Sequence, residues 1–201
     1  MRRVVRIGKA FDELIQIADS EHARLIVAGV HRPDRPIERF FLGSTAERIL
    51  RHGGHPVLLA RKVARGPYRR VLVPVDLGDV SLRLLLFVRD PLPSADLTVV
   101  HFVPRLRRPG EENRAWREQV SAELKELARA ARLDLSRATL EVGEADARAG
   151  ILSLAETRKA DLVAMGTQGR RGIKRVLLGS VAEYVIHGSR GDILAVPPQH
   201  T

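Results

Sequence analysis

Two stretches of this 201-residue chain, IQIADSEHARLIVAG (15–29) and LSLAETRKADLVAMG (152–166), superimpose without a gap at an offset of 137, with Ala18/Ala155, Ala23/Ala160, Leu25/Leu162 and Gly29/Gly166 coinciding. Whatever one copy folds into, the other must resemble. Beyond the following loop the offset becomes 136: GSTAERIL (43–50) falls on GSVAEYVI (179–186), and PVLLA (56–60) on DILAV (192–196). One residue inserted in the first loop accounts for the change.

Periodicity gives each copy its elements. LIQIADSEHA and ILSLAETRKA place apolar residues at helical spacing, while RLIVAG and DLVAMG are apolar runs too short for helices and read as buried strands. GSTAERILRH and GSVAEYVIHG open on Gly-Ser, a helix start in which the Ser hydroxyl accepts an N–H of the first turn. Helices alternating with continuous apolar strands imply a parallel sheet covered on both faces.

Only the second copy has a complete set of preceding elements. RRVLVPVD (69–76) is a buried-strand pattern ending in an acid, SLRLLLFVRD is a helix stopped by Pro91 and Pro93, and LTVVHFV (97–103) is a second strand. ENRAWREQVSAELKELARAARLD (112–134) lines Trp116, Val120, Leu124, Leu127 and Ala131 along one helical stripe, and ATLEVG (138–143) supplies a third strand. Residues 67–201 therefore read as one complete doubly wound domain, and residues 1–66 as the latter part of another, from the strand VVRIG (4–8) onward, with ARKVARGP (60–67) as linker.

The composition excludes several classes of function. With 44% apolar and 29% charged residues the chain suits an ordinary globular protein. No apolar run is long enough to cross a bilayer, and the N-terminal stretch lacks a secretory h-region, so a cytoplasmic location is expected. The absence of cysteine removes disulfides, thiolate catalysis and Cys-based zinc sites. The formal charge is +10, with 13 Lys/Arg against 7 Asp/Glu in residues 1–66 and 21 against 17 in the remainder. Most of that excess is Arg interleaved with acids on helix faces, the pattern of a solvated, pair-laced surface. With aromatics at 4%, a nucleic-acid surface is disfavoured.

The motif Gly166-x2-Gly169-x9-Gly179-Ser180 follows the strand DLVAMG, in a domain opened by RRVLVPVD and continued by LTVVHFV. With these residues the chain resembles universal stress proteins across essentially its whole length, as one truncated and one complete tandem copy. The resemblance implies an adenine nucleotide alpha hydrolase-like fold with a five-stranded parallel sheet in the order 3-2-1-4-5. It also implies an ATP-binding stress-response regulator rather than an enzyme, with slow ATP hydrolysis left open and ATP bound with or without Mg2+. Carried over by position, the nucleoside falls to Asp76 with Pro74 and Val75, and adenine to main-chain atoms at Phe102 or Val103. Met165 and Gly166 would lie against the nucleotide, and Gln168, Gly169, Arg170, Gly179, Ser180 and Val181 would form the phosphate loop.

The loop has its own physical logic. Glycine lacks a Cβ and permits close backbone approach, and the unpaired N–H groups of a helix start suit an anion. The dipole alone contributes only ~0.3–1 kcal/mol, so several N–H bonds, the Ser180 hydroxyl and Arg170, Arg171, Lys174 or Arg175 must supply the rest. In the first copy Arg32 replaces the second glycine, Pro33 and Pro36 remove amide donors, and strands 1 and 2 are missing. That copy is expected to bind no nucleotide.

In the family order VVRIG would be an edge strand separated from RLIVAG by two strands that this chain lacks, so either both need a partner or Met1 is an internal start of a longer natural protein. The resemblance further implies antiparallel pairing of strand 5 with strand 5, so PVLLA and ILAV are expected to join the copies. Homo-oligomers through strand 5 or through the incomplete copy are expected partners.

His52 and His55 in RHGGHP lie after a helix, where Gly53-Gly54 reads as a stop, rather than after strand 1 as in the HIGH motif of nucleotidylyl transferases. His101 reads as a packed or hydrogen-bonded residue, Asp79 as a helix cap, and no metal set or catalytic constellation emerges. VPVDLGDVS is not the activating SGGxDS motif. The rival reading is a nucleotide-free interaction or scaffold module whose basic half-domain contacts protein or nucleic acid.

Overall fold

The computed structural model describes residues 2–29, 44–61, 63, 66–90, 92, 94–104, 110–169 and 178–198. The first copy contributes α1 (Ala10–Ser20), β1 (Ile26–Gly29), α2 (Ser44–His52) and β2 (Val57–Ala60). The second contributes β3 (Arg70–Pro74), α3 (Asp79–Arg89), β4 (Asp96–Val103), α4 (Gly110–Ala130) and β5 (Ala138–Glu144), then α5 (Ala147–Thr157), β6 (Leu162–Gly166), α6 (Ser180–Gly188) and β7 (Asp192–Val196). One seven-stranded sheet takes them all, in the order β1-β2-β7-β6-β3-β4-β5. Its last five strands are the expected 3-2-1-4-5.

The copies join where expected. β2 runs antiparallel to β7, with Val57 opposite Ala195 and Leu59 opposite Ile193, and every other pairing is parallel. Apolar residues of the central strands alternate between two packed layers. Val100, Val163, Met165, Ile193 and Ala195 meet α5 and α6 on one face, while Val71, Val73, Val99, Ala164 and Leu194 meet α3 and α4 on the other.

A buried clasp secures the junction. The Arg61 N–H donates to Asp192 Oδ1 at 2.7 Å, and its guanidinium donates to the carbonyls of Ser189 (3.1 Å) and Ile186 (2.5 Å) at the end of α6. A cation there satisfies last-turn carbonyls that the helix itself cannot. Tyr68 donates its hydroxyl to Asp192 Oδ2 at 2.8 Å. Burial, and then the hydrogen bond and charge of Asp192, push the phenol above its ordinary value.

Two local expectations are corrected. VVRIG is not a strand: residues 2–9 hold no regular secondary structure, and Val5 and Ile7 are 93% and 99% exposed. β-branched residues favour a pleated surface but cannot create one, and among the described residues no strand lies beside this segment. The Gly-Ser helix start also works differently, because Gly179 is the N-cap of α6 and makes no side-chain cap bond, leaving Ser180 as the first helical residue.

Other expectations hold. α3 stops at Arg89, just before the prolines Pro91 and Pro93, which lie outside the described residues. α2 stops at His52, and Gly54 takes the left-handed conformation at φ +60. His52 lies against the Phe11 ring, and His55 bridges Asp19 Oδ1 (2.7 Å) and the Ala23 carbonyl (3.1 Å), so both serve packing between α1 and α2. The arginine surface is extensively paired, as in Arg51 with Glu47 and Glu183, Arg117 with Glu144 and Arg158 with Glu141.

Candidate functional site

At the C-terminal ends of β3, β4 and β6, where the chain's path reverses direction across the sheet, a cavity of about 360 Å3 opens. β3 and the turn after it give Pro74, Val75 and Asp76, β4 gives Phe102, and β6 and its loop give Met165, Gly166, Gln168 and Gly169. The start of α6 closes the far side with Gly179, Ser180 and Val181. Eleven of the thirteen residues singled out from sequence thus meet in one place. Arg170, with Arg171, Lys174 and Arg175, lies outside the described residues, as do Arg32, Pro33 and Pro36 of the first loop.

Val103 is the exception, and the ladder explains it. Its carbonyl accepts the Ala145 N–H at 3.0 Å and its side chain is buried, so its polar groups face β5. Polar groups alternate sides along a strand, so those of Phe102 face the side of β3. β3 ends at Pro74, and its last pairing to β4 places Pro74 opposite Val100. The main chain of Phe102 therefore lies beyond that end, at the cavity.

Asp76 is held in a tight local network. Ser81 donates its hydroxyl to Asp76 Oδ1 at 2.6 Å, Gly78 N–H donates to the same oxygen at 3.1 Å, and Asp76 N–H donates to Ser81 Oγ at 3.0 Å. The turn between them forces Leu77 to φ +63, an uncommon conformation for leucine that this network holds in place. Asp76 Oδ2 lies 3.3 Å from where a Gly169 Cβ would stand. His101 donates from Nδ1 to the Val75 carbonyl at 2.7 Å, fastening the end of β3 to β4, and also lines the cavity.

The glycines work by close approach. A Cβ on Gly166 would come within 2.7 Å of Val80 Cγ1, so the strand end and α3 touch only because that Cβ is missing. Gly179 N–H donates to the Thr167 carbonyl at 2.8 Å, and Thr167 N–H donates to Val196 at 3.0 Å, pinning both ends of the loop to the sheet. The first intrahelical bond of α6 runs from Glu183 N–H to the Gly179 carbonyl at 2.8 Å. The N–H groups of Ser180, Val181 and Ala182 precede it at the cavity wall, where they can serve an anion. Among the described lining residues Asp76 is the single carboxylate, and none is Lys or Arg.

Sequence reasoning missed several lining residues. Val80 and Ser81 come from α3, Ala147 and Ile151 from α5, and Thr167 from the loop. Only Ser81 carried a signal, as a hydroxyl in the first turn of the helix that follows Asp76. No group of three or more His, Asp or Glu that could hold a metal occurs among the described residues. No helix among them is long and apolar enough to cross a membrane.

Comparison with known proteins agrees with this architecture. The model of the universal stress protein family matches residues 2–61 and 67–197. The chain is 33% identical over 142 residues to universal stress protein MJ0531 of Methanocaldococcus jannaschii, covering 64% of this chain and 82% of that protein. Among solved structures, PA1789 of Pseudomonas aeruginosa PAO1, described as functionally unknown, superimposes with a TM-score of 0.73 at 19% identity, over 96% of this chain and 69% of its own. A universal stress protein from Archaeoglobus fulgidus DSM 4304 does so at 0.68 and 22% identity, over 93% and 66%. From its repeated helix-strand-loop frame to its sheet order, and over nearly all its residues, the chain belongs to the universal stress protein family.

Proposed function

We propose that the complete copy binds an adenine nucleotide, ATP by preference, and that the protein is a cytoplasmic stress-response regulator acting through partners rather than through catalysis. One observation carries this reading: a single cavity joins an oriented carboxylate, a strand end that leaves β3 behind, and a glycine turn facing a helix N-terminus. Each suits a different part of the ligand. Asp76 accepts from ribose hydroxyls, the Phe102 main chain reads the base edge, and the N–H groups at Ser180 to Ala182 receive phosphate oxygens.

The fit extends to Gly169, where the missing side chain leaves Asp76 Oδ2 uncovered, 3.3 Å from where a Cβ would stand. Mg2+ fits only as a companion of the phosphates, because the described walls supply one carboxylate whose Oδ1 already accepts from Ser81 and Gly78. The antiparallel β2–β7 junction uses the strand expected to join copies, so assembly into larger oligomers would proceed through the incomplete copy.

Calorimetric titration of ATP into the wild type and Gly169→Arg tests the reading. Saturable binding by the wild type that disappears in the variant is expected, because the substitution copies Arg32 and drives a side chain against Asp76. Equally weak heats from both would leave a nucleotide-free scaffold as the surviving interpretation.

A further inference from the structure

We propose that Gly143 and Gly150 form a niche that seats the Phe102 ring beside the cavity, and that the cavity keeps its width because neither residue has a Cβ. The consequence for ligand choice, room for a purine-sized base, rests on the adenine-nucleotide reading above. Gly143 lies within strand β5 and Gly150 within helix α5, and glycine weakens both kinds of element. Neither takes a positive φ, so backbone conformation does not require glycine at either place.

Steric demand does require it. A Cβ on either residue would stand 2.5 Å from Phe102 Cε1 and 2.7 Å from Cδ1, so a strand and a helix each give up a side chain to the same ring edge. Phe102 borders the cavity together with Ala147 and Ile151. Its own face of the sheet is close packed around Val100 and Ile151, so a ring pushed off the glycines moves into the cavity.

The first copy serves as an internal control. Helices α1 and α5 align end to end at the offset of 137, which puts Glu13 where Gly150 stands. Among the described residues no strand corresponding to β4 packs against α1, and a large charged residue stands in place of the helix glycine. A helix glycine found only beside the ring is expected if seating the ring is its purpose.

The test compares Gly150→Ala, Phe102→Leu and the double variant with the wild type. Gly150→Ala is expected to shift the Ile151 methyl resonances as the ring moves, and to weaken ATP binding by about tenfold or more. The double variant, with a smaller side chain at 102, is expected to bind within about threefold of Phe102→Leu alone. Tripolyphosphate, which has no base, is expected to bind the wild type and Gly150→Ala alike. Unchanged Ile151 resonances in Gly150→Ala, or a double variant still weakened to the full extent relative to Phe102→Leu, would overturn the niche. If the wild type binds no adenine nucleotide but the methyl shift appears in Gly150→Ala and is lost in the double variant, the niche stands and the nucleotide reading fails.

Discussion

Strands β1 and β6 occupy matching places in the repeat and have matching sequences, yet they live in different surroundings. β6 lies between β7 and β3, and its residues from Leu162 to Met165 are buried. β1 pairs with β2 on one side and, among the described residues, with no strand on the other, and its Val27 is 62% exposed. The glycines that end them differ in the same way. Gly166 presses against Val80, whereas a Cβ on Gly29 would meet nothing within 4 Å. A strand-ending glycine is therefore not enough to enclose its strand end. The walls come from β3, β4 and α3, which have no counterparts among the described elements of the first copy.

Parallel substitutions can break this comparison. Gly166→Val should destabilise the protein by about 2–3 kcal/mol through overpacking against Val80, whereas Gly29→Val should fall within about 0.5 kcal/mol of wild type. Equal effects in urea unfolding would mean that the two strand ends are equally enclosed. Next in size is the clasp between the copies. Arg61→Met keeps volume but strips donors from the carbonyls of Ile186 and Ser189, and should cost about 2 kcal/mol. Hydrogen exchange should then accelerate in β1 and β2 before β6; a uniform increase would show that the half-copy does not depend on this clasp.

A smaller effect is expected at the turn after β3. Ser81→Ala should cost about 1 kcal/mol by removing the hydroxyl that serves both the amide and the carboxylate of Asp76. Under the proposed function it should also weaken ATP binding more than tripolyphosphate binding, and Ser81→Thr should restore the difference. The smallest effect is alkaline. The folded Tyr68 phenol holds its proton above the ordinary value of 10.0, so its contribution is complete below that pH and is lost as pH rises beyond it. Wild-type stability should fall more steeply above pH 10 than that of Tyr68→Phe, measured by thermal unfolding across that range.

Much of this was legible in the residues because buried parallel strands announce themselves. RRVLVPVD, LTVVHFV, DLVAMG and DILAV are continuous apolar runs whose only sustainable setting is a sheet covered on both sides. The cavity residues on β3 and β6 were equally visible, because an acid or a glycine ending such a run stands out. VVRIG misled because β-branched composition reports what a segment would do with neighbours, not whether it has them. The choice between Phe102 and Val103 depends on ladder parity, which appears only once Val103 is seen paired toward β5. Arg61 looked like ordinary linker charge, and the positions of Gly143 and Gly150 make sense only beside Phe102, which is distant from them in the chain.

The reversal of direction between β2 and β7 also governs what the basic half can contribute. Because β1 runs with β2, the polypeptide departs from Gly29 at the rim of the sheet opposite the mouth formed by β3, β4 and β6. The end of β1 and the mouth at β3, β4 and β6 thus open on opposite shores of one sheet. Among the described residues, what ties one shore to the other is the run of shared strands and the Arg61 and Asp192 contact at their common seam.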